Sequence, residues 1–112
     1  MVKKENVSIW GIFDIKKINK KIFVIKDVIE KPTMKEAPSR YAIIGRYILP
    51  KKIFPILKKQ RPGKNGEIHI TDSIRTLIFK ENKFIGHIFS GKYLDCGSMN
   101  GYINSTLQIS KL

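Results

Sequence analysis

The chain has 112 residues, of which 42% are hydrophobic and 28% are charged, so it fits one small globular domain or a piece of a larger one. No apolar run approaches the roughly 18 residues that span a bilayer, and the first residues lead into no signal-like apolar core. The single cysteine, Cys96, excludes an internal disulfide and agrees with a reducing compartment. We therefore expect a cytoplasmic protein with no membrane partner.

The net charge of +13 is typical of proteins that bind nucleic acid or another anionic surface. The distribution of this charge argues against a specific nucleic-acid site, because lysines dominate and the few arginines are scattered along the chain. Isoleucines are equally over-represented, so a coding bias toward lysine and isoleucine explains both excesses together. Nucleic-acid binding stays open as an alternative and is not the expected function.

The first half of the chain predicts a β-hairpin followed by a third strand. Residues 7–13 and 22–29 are rich in β-branched and aromatic side chains, and a polar, lysine-rich turn over 14–21 separates them. Residues 33–40 lie between two prolines and predict a connecting loop. Residues 41–49 form a nearly continuous apolar run, which indicates a strand buried on both faces.

The second half predicts three helices and short strands. In chain order the predicted elements are a helix over 50–59, an extended segment over 67–70, a helix from Thr71 or Asp72, strands over 83–90 and 93–94, and a helix over 98–110. Helical spacing predicts the buried faces, which are Ile74, Leu77 and Ile78 in the second helix and Tyr102, Ile103 and Leu107 in the last. This order indicates an α/β fold. Several strands lack a partner in the chain, so we expect an incomplete, mixed-sheet fragment.

The second strand ends in Glu30, Lys31 and Pro32, which place a carboxylate, an ammonium group and a rigid imide side by side. A proline restricts the residue before it to extended backbone, so Glu30 and Lys31 should leave the strand on opposite sides. Such a pair can hold a ligand that carries hydroxyls and phosphate. The alternative is an ordinary surface ion pair, worth about 0–1 kcal/mol.

Asp95 stands at the end of a short predicted strand, where a lone carboxylate suits a magnesium ion that takes one or two carboxylates. The alternative is that Asp95 caps the helix beginning near Ser98. His69 and His87 lie far apart in strand-like segments, where each reads as a half-buried strand residue. Because Cys96 also lacks a neighbouring cysteine, no zinc site is expected.

The run from Gly86 to Tyr93 has the spacing of a phosphate-binding loop, G-x-x-x-x-G-K, but Tyr93 stands where serine or threonine would bind magnesium. The residues between the glycines are apolar and strand-like, and no helix follows whose first turn could cradle phosphate. We therefore reject a phosphate-binding loop here.

Four stretches carry a family resemblance. They are residues 28–32 (VIEKP), 36–47 (EAPSRYAIIGRY), 62–74 (PGKNGEIHITDSI) and 91–102 (GKYLDCGSMNGY). In order and spacing they resemble the C-terminal half of bacterial UTP–glucose-1-phosphate uridylyltransferases, which are sugar nucleotidyltransferases. The resemblance covers the chain from about Glu5 to about Leu107.

The resemblance implies a Rossmann-like nucleotidyltransferase fold and a reaction in which glucose 1-phosphate attacks the α-phosphate of UTP, giving UDP-glucose and pyrophosphate. By position, it implies that Glu30 accepts hydrogen bonds from sugar hydroxyls, that Lys31 contacts phosphates, and that Asp95 is one of two Mg²⁺-binding aspartates. The implied supporting residues on the sugar side are Glu67, Thr71 and Asp72. Departures from the family pattern are His69, where glutamine is usual, and Arg40, where asparagine is usual.

The resemblance also implies what lies outside this sequence. Family members begin with a glycine-rich loop that grips the nucleotide and carry the second metal-binding aspartate in a central strand. We therefore expect residues 1–112 to be the C-terminal, sugar-phosphate-binding part of the domain, inactive unless a separate N-terminal chain completes it. The expected ligands are Mg²⁺, glucose 1-phosphate and UDP-glucose, and an oligomer is left open. The alternatives are a basic nucleic-acid-binding module or a non-functional remnant of a decayed gene.

Overall fold

The computed structural model describes residues 1–80 and 82–112. Its elements are, in chain order, β1 (Gly11–Lys17), β2 (Ile22–Glu30), α1 (Ile53–Lys59), α2 (Ile70–Phe79), β3 (Phe84–His87) and α3 (Met99–Ile109), with 3₁₀ turns at Lys4–Ile9 and Lys64–Gly66. The α/β class is confirmed. Within the described ranges no helix is both long and apolar enough to cross a membrane.

β1 and β2 form the predicted hairpin, and β3 pairs with the other edge of β2. Both pairings are antiparallel. The predicted bounds of the first strand and its turn are wrong, because β1 runs on to Lys17 and the reversal occupies only 18–21. Asn19 closes this short turn, since its Oδ1 accepts the backbone N–H groups of Lys21 and Ile22, each at 2.9 Å.

The hydrophobic core lies between β2 and α2. Val28 of β2 meets Ile74 and Leu77 of α2, and all three side chains are at most 2% exposed. Ile53 of α1 and Ile43 complete the buried cluster. Full burial of such an aliphatic side chain stabilises a fold by about 1.5–3 kcal/mol, so this cluster fixes α2 against the end of β2. The predicted core positions Ile74 and Leu77 are confirmed.

Residues 41–49 are not the predicted strand. Ala42 makes one isolated bridge, to Ile12 of β1, and the chain then leaves the sheet. Gly45 has a φ of +73°, in the left-handed region where glycine is favoured, and this turn ends the extended path. Beyond it, Ile48 is 100% exposed. The predicted strand over 93–94 is also absent, so two of the predicted strands are missing from the observed order.

α3 forms where predicted, and Ser98 caps it by accepting the N–H of Gly101 at 3.0 Å. The predicted buried face of this helix is wrong, because Tyr102 is 57% and Leu107 53% exposed. Ser105 is instead the buried residue within α3, whose residues are all described. Among the described elements, none covers the apolar face of α3.

Candidate functional site

Glu30 lies at the carboxyl end of β2, and its side chain is held from several sides. Thr71 Oγ1 donates a hydrogen bond to Glu30 Oε2 at 2.7 Å, and His69 Nδ1 lies 3.9 Å from Oε1. Gly11 of β1 is the register partner of Glu30, and a Cβ at that position would lie 3.0 Å from Oε2. The Glu30 side chain is only 13% exposed. It is therefore a fixed carboxylate with acceptor capacity left for a ligand.

Lys31 has a φ of +45°, so the prediction that Pro32 would hold it extended is wrong. Its N–H donates to the Trp10 carbonyl at 2.9 Å, and its carbonyl accepts from the Lys64 ammonium group. These two tertiary hydrogen bonds, at about 0.5–1.5 kcal/mol each, offset the roughly 1–2 kcal/mol that a left-handed residue costs. The turned backbone directs Lys31 Nζ to Glu67 Oε2, at 3.6 Å.

The loop between α1 and α2 brings the supporting residues to this pair. Gly63 donates its N–H to the Glu67 carbonyl at 2.8 Å, which closes the loop. The Asp72 carboxylate packs under the same loop, because a Cβ on Gly63 would come within 2.6 Å of Asp72 Oδ2. Gln60, just after α1, donates from Nε2 to the carbonyl of His69, just before α2, at 2.8 Å, so the two ends of the loop are joined. The structure thus brings four of the predicted site residues, Glu30, Lys31, Glu67 and Thr71, into one network and places Asp72 beneath it.

His69 is a member of this network that the sequence did not predict. It lies not in a strand but immediately before α2, with a side chain only 13% exposed. Its Nε2 lies 3.1 Å from the Lys64 carbonyl and 3.4 Å from Glu67 Oε2, while Nδ1 faces Glu30. His69 therefore stands between the two carboxylates. Its departure from the family pattern was the only signal in the sequence that could have marked it.

A cavity of about 250 Å³ opens in front of Glu30 and Thr71. The rest of its wall includes three aromatic residues, Trp10, Tyr47 and Tyr93. Burial, reinforced by the negative charge of Glu30, raises the pKa of the Tyr47 hydroxyl above its usual value. The three aromatic residues also border a larger cavity of about 670 Å³, whose lining is mainly apolar but includes Arg46 and His87, and does not include Glu30.

Asp95 lies in the loop before α3, two residues after Tyr93. Burial, with the negative charge of Asp95 as a smaller cause, raises the pKa of the Tyr93 hydroxyl, and Tyr93 lines the smaller cavity. The predicted alternative, that Asp95 caps α3, is wrong because Ser98 does so; Asp95 Oδ1 instead accepts the N–H of Gly97 at 3.0 Å. In the part of the chain that the structure describes, no three His, Cys, Asp or Glu side chains gather as a metal site.

Comparison with known proteins gives consistent matches. The sequence model of the family described as Nucleotidyl transferase matches residues 1–111. The UTP–glucose-1-phosphate uridylyltransferase of Pseudomonas aeruginosa is 41% identical over 105 residues, which are 94% of this chain and 37% of that protein. UTP–glucose-1-phosphate uridylyltransferase 2 of Streptococcus pyogenes is 40% identical over 107 residues, which are 95% of this chain and 36% of that protein.

A crystal structure of a UDP-glucose pyrophosphorylase complexed with UDP-glucose superposes with a TM-score of 0.91 at 44% identity. The superposition covers 98% of this chain and 41% of that one. The chain therefore spans well under half the length of the relatives it matches.

Proposed function

The chain belongs to the nucleotidyl transferase family, and we propose that it is the C-terminal, sugar-phosphate-binding part of a UTP–glucose-1-phosphate uridylyltransferase. In the proposed reaction the phosphate of glucose 1-phosphate attacks the α-phosphate of UTP, giving UDP-glucose and pyrophosphate. The observation that carries the proposal is the end of β2, where the fixed Glu30 carboxylate and the Lys31 ammonium group follow one another beside a small cavity.

Glu30 binds the sugar in this proposal. An ionised carboxylate offers about four acceptor positions, and Thr71 occupies one of them. The remaining lone pairs accept hydrogen bonds from sugar hydroxyls. A hydrogen bond to a charged group contributes about 1.5–3 kcal/mol, so the Glu30 charge is a major source of affinity for the sugar. The bond from Thr71 and the proximity of His69 keep the carboxylate in place before the sugar arrives.

Lys31 binds the phosphate. Its partner in the structure is the Glu67 carboxylate, which is 61% exposed, and an exposed pair of this kind contributes about 0–1 kcal/mol. A phosphate carries more negative charge than one carboxylate and therefore displaces Glu67 at little cost. Glu67 and Asp72 act as supporting residues that keep the ammonium group and the loop in position. The protein forms no covalent bond to the substrate in this proposal, because positioning and charge neutralisation supply most of the catalysis of phosphoryl transfer.

Asp95 contributes one carboxylate to a Mg²⁺ site in this proposal. The donor chemistry fits, because Mg²⁺ takes one or two carboxylates and completes its shell with phosphate oxygens and water, and Asp95 keeps an oxygen that Gly97 does not use. When bound, the ion neutralises negative charge on the phosphates. In this proposal the second aspartate and the UTP-binding loop come from the part of the domain that this chain does not match.

Titration calorimetry with glucose 1-phosphate tests the sugar-phosphate assignment. We expect Glu30→Gln and Lys31→Ala each to weaken binding about tenfold or more, because each loses a charge-assisted hydrogen bond worth at least about 1.5 kcal/mol. Glu5→Gln and Lys26→Ala are the matched controls, since both residues are exposed and lie outside the network. Binding that is unchanged in Glu30→Gln and Lys31→Ala would falsify the assignment.

A further inference from the structure

His69 is a titratable side chain that the proposed function uses only to hold Glu30 in place. It lies immediately before α2, and its side chain is 13% exposed. Its Nε2 is 3.1 Å from the Lys64 carbonyl and 3.4 Å from Glu67 Oε2, while Nδ1 faces Glu30 Oε1 at 3.9 Å. Each of these three partners is a hydrogen-bond acceptor, and two of them are carboxylates.

The protonation state of the ring decides how well these partners are matched. A neutral imidazole has one N–H donor and one acceptor nitrogen, so one of its nitrogens faces an acceptor that it cannot bond. The imidazolium has two N–H donors and a positive charge, so it suits both carboxylates at once. The surroundings of His69 are therefore complementary to its charged form.

Charged residues come toward His69 from each element packed around it. They are Glu30 at the end of β2, Lys31 after it, Lys64 and Glu67 in the loop between α1 and α2, and Asp72 in the first turn of α2. The Lys64 ammonium group bonds the Lys31 carbonyl, and the Asp72 carboxylate lies against Gly63. Glu30 and Glu67 are thus the carboxylates that face the ring, and Lys31 is the cation on the far side of Glu67.

One oxygen of Glu67 is shared between two basic side chains. Glu67 Oε2 lies 3.4 Å from His69 Nε2 and 3.6 Å from Lys31 Nζ. While His69 is neutral, Lys31 is the cation of the two, and it keeps the attraction of this oxygen to itself. When His69 is protonated, the same oxygen attracts a second cation, so its hold on Lys31 weakens. A proton on His69 therefore makes the Lys31 ammonium group easier to transfer to a phosphate.

We propose that His69 is a positioning residue whose protonation strengthens phosphate binding by Lys31, with Glu67 as the link between them. The affinity for a sugar phosphate then rises relative to a chain without this imidazole as the pH falls from about 8 to about 5, the range in which imidazoles gain a proton. This inference rests on the proposed sugar-phosphate function and adds its dependence on protons. Linkage requires the converse as well, so a phosphate that takes Lys31 from Glu67 favours the protonated form of His69.

Calorimetric titration with glucose 1-phosphate at about pH 8 and about pH 6 tests the inference. His69→Gln keeps a side chain that can donate a hydrogen bond but cannot gain a proton. The ratio of wild-type to variant affinity at each pH is free of the titration of the ligand's own phosphate, because both proteins meet the same ligand. We expect this ratio to increase about 2- to 5-fold at the lower pH, the effect of weakening one exposed ion pair. His69→Asn is the second variant, in case His69→Gln does not fold.

Glu67→Gln tests the route from His69 to Lys31. Without the Glu67 carboxylate, a proton on His69 has no shared oxygen to draw away from Lys31. In the Glu67→Gln background, His69→Gln should therefore lose most of the pH-dependent effect that it has in the wild type. His87→Gln is the matched control, since His87 is the second of the two histidines and lies exposed on β3. Its affinity ratio to the wild type should be the same at both pH values.

An affinity ratio for His69→Gln that is equal at the two pH values overturns this inference, and so does a pH effect that keeps its full size in the Glu67→Gln background. If calorimetry in either case still detects glucose 1-phosphate binding that Lys31→Ala weakens, the proposed function survives that result. If calorimetry detects no binding of glucose 1-phosphate, the proposed function and the inference are both overturned.

Discussion

The residues proposed for the sugar and the residue proposed for the metal lie in regions that differ in packing. Glu30 ends β2 and Lys31 follows it, and this strand packs on α2, where Leu77 is 1% exposed. Asp95 precedes α3, which leaves Leu107 53% exposed. The difference teaches that the core of this chain positions Glu30 and Lys31, whereas no described element packs on the apolar face of the helix beside Asp95.

The largest expected effect concerns catalysis itself. Because the chain spans 37% of its Pseudomonas aeruginosa relative, we expect it alone to form no UDP-glucose from UTP, glucose 1-phosphate and Mg²⁺. Adding the part of that relative which this chain does not match, as a separate chain, should restore turnover, and Asp95→Asn or Lys31→Ala should abolish the restored activity. The measurement is UDP-glucose formation by chromatography.

Turnover by this chain alone would contradict the proposal that catalysis needs the part of the domain that this chain does not match. Restored turnover that survives both substitutions would instead contradict the roles proposed for Asp95 and Lys31. Glu5→Gln, an exposed carboxylate outside the network, is the control for general effects on assembly.

The next largest effect is on stability. Leu77→Ala should lower the free energy of unfolding by about 2–5 kcal/mol, because it leaves a cavity in the core between β2 and α2. Leu107→Ala, the same change on the exposed face of α3, should lower it by no more than about 0.5 kcal/mol. Urea denaturation followed by circular dichroism measures both. Equal losses would mean that α3 is packed as firmly as α2.

The packed region was also the predictable one. The bounds of β2, the hairpin, and the burial of Ile74 and Leu77 all follow from residue type and spacing, because their partners lie within this chain. The match to uridylyltransferases was likewise predicted from motifs in register and is confirmed at about 40% identity. Local sequence pattern therefore predicts a structural element correctly where this chain supplies both sides of the contact that stabilises it.

The failures lie where a distant contact or a missing surface decides the structure. The apolar run over 41–49 indicated a buried strand, but apolarity does not tell whether this chain covers the segment, and Ile48 is fully exposed. The rule for residues before proline failed at Lys31, because hydrogen bonds with Trp10 and Lys64 override it. The place of His69 between two carboxylates depends on a loop closure that no local pattern encodes.

A smaller effect tests the polar link inside the packed region. Arg75 of α2 donates from Nε and a terminal nitrogen to the two carboxylate oxygens of Asp27 on β2, at 2.8 and 2.9 Å. The geometry is bidentate, but the Arg75 side chain is 42% exposed, so solvent screens much of the attraction. A double-mutant cycle of Asp27→Asn and Arg75→Gln should give a coupling energy of about 0.5–1 kcal/mol that decreases with added salt. A coupling near zero would mean that this ion pair adds nothing to the apolar packing of α2 on β2.

The smallest effect tests whether Tyr47 belongs to the packed region. The pKa of Tyr47 is raised by burial and by Glu30, so above the ordinary tyrosine value of about 10 the unfolded chain loses a proton that the folded chain retains. The stability that Tyr47 contributes is therefore complete below about pH 10 and is lost as the pH rises through its folded pKa. Tyr47→Phe should remove this part of the loss of folding stability at alkaline pH. The phenolate absorbance of the wild type minus that of Tyr47→Phe isolates this titration. Glu30→Gln should move the midpoint down only in part, because burial is the larger cause. A midpoint at the ordinary value would mean that Tyr47 is neither buried nor near the Glu30 charge, and would assign it to the loosely packed part of the chain.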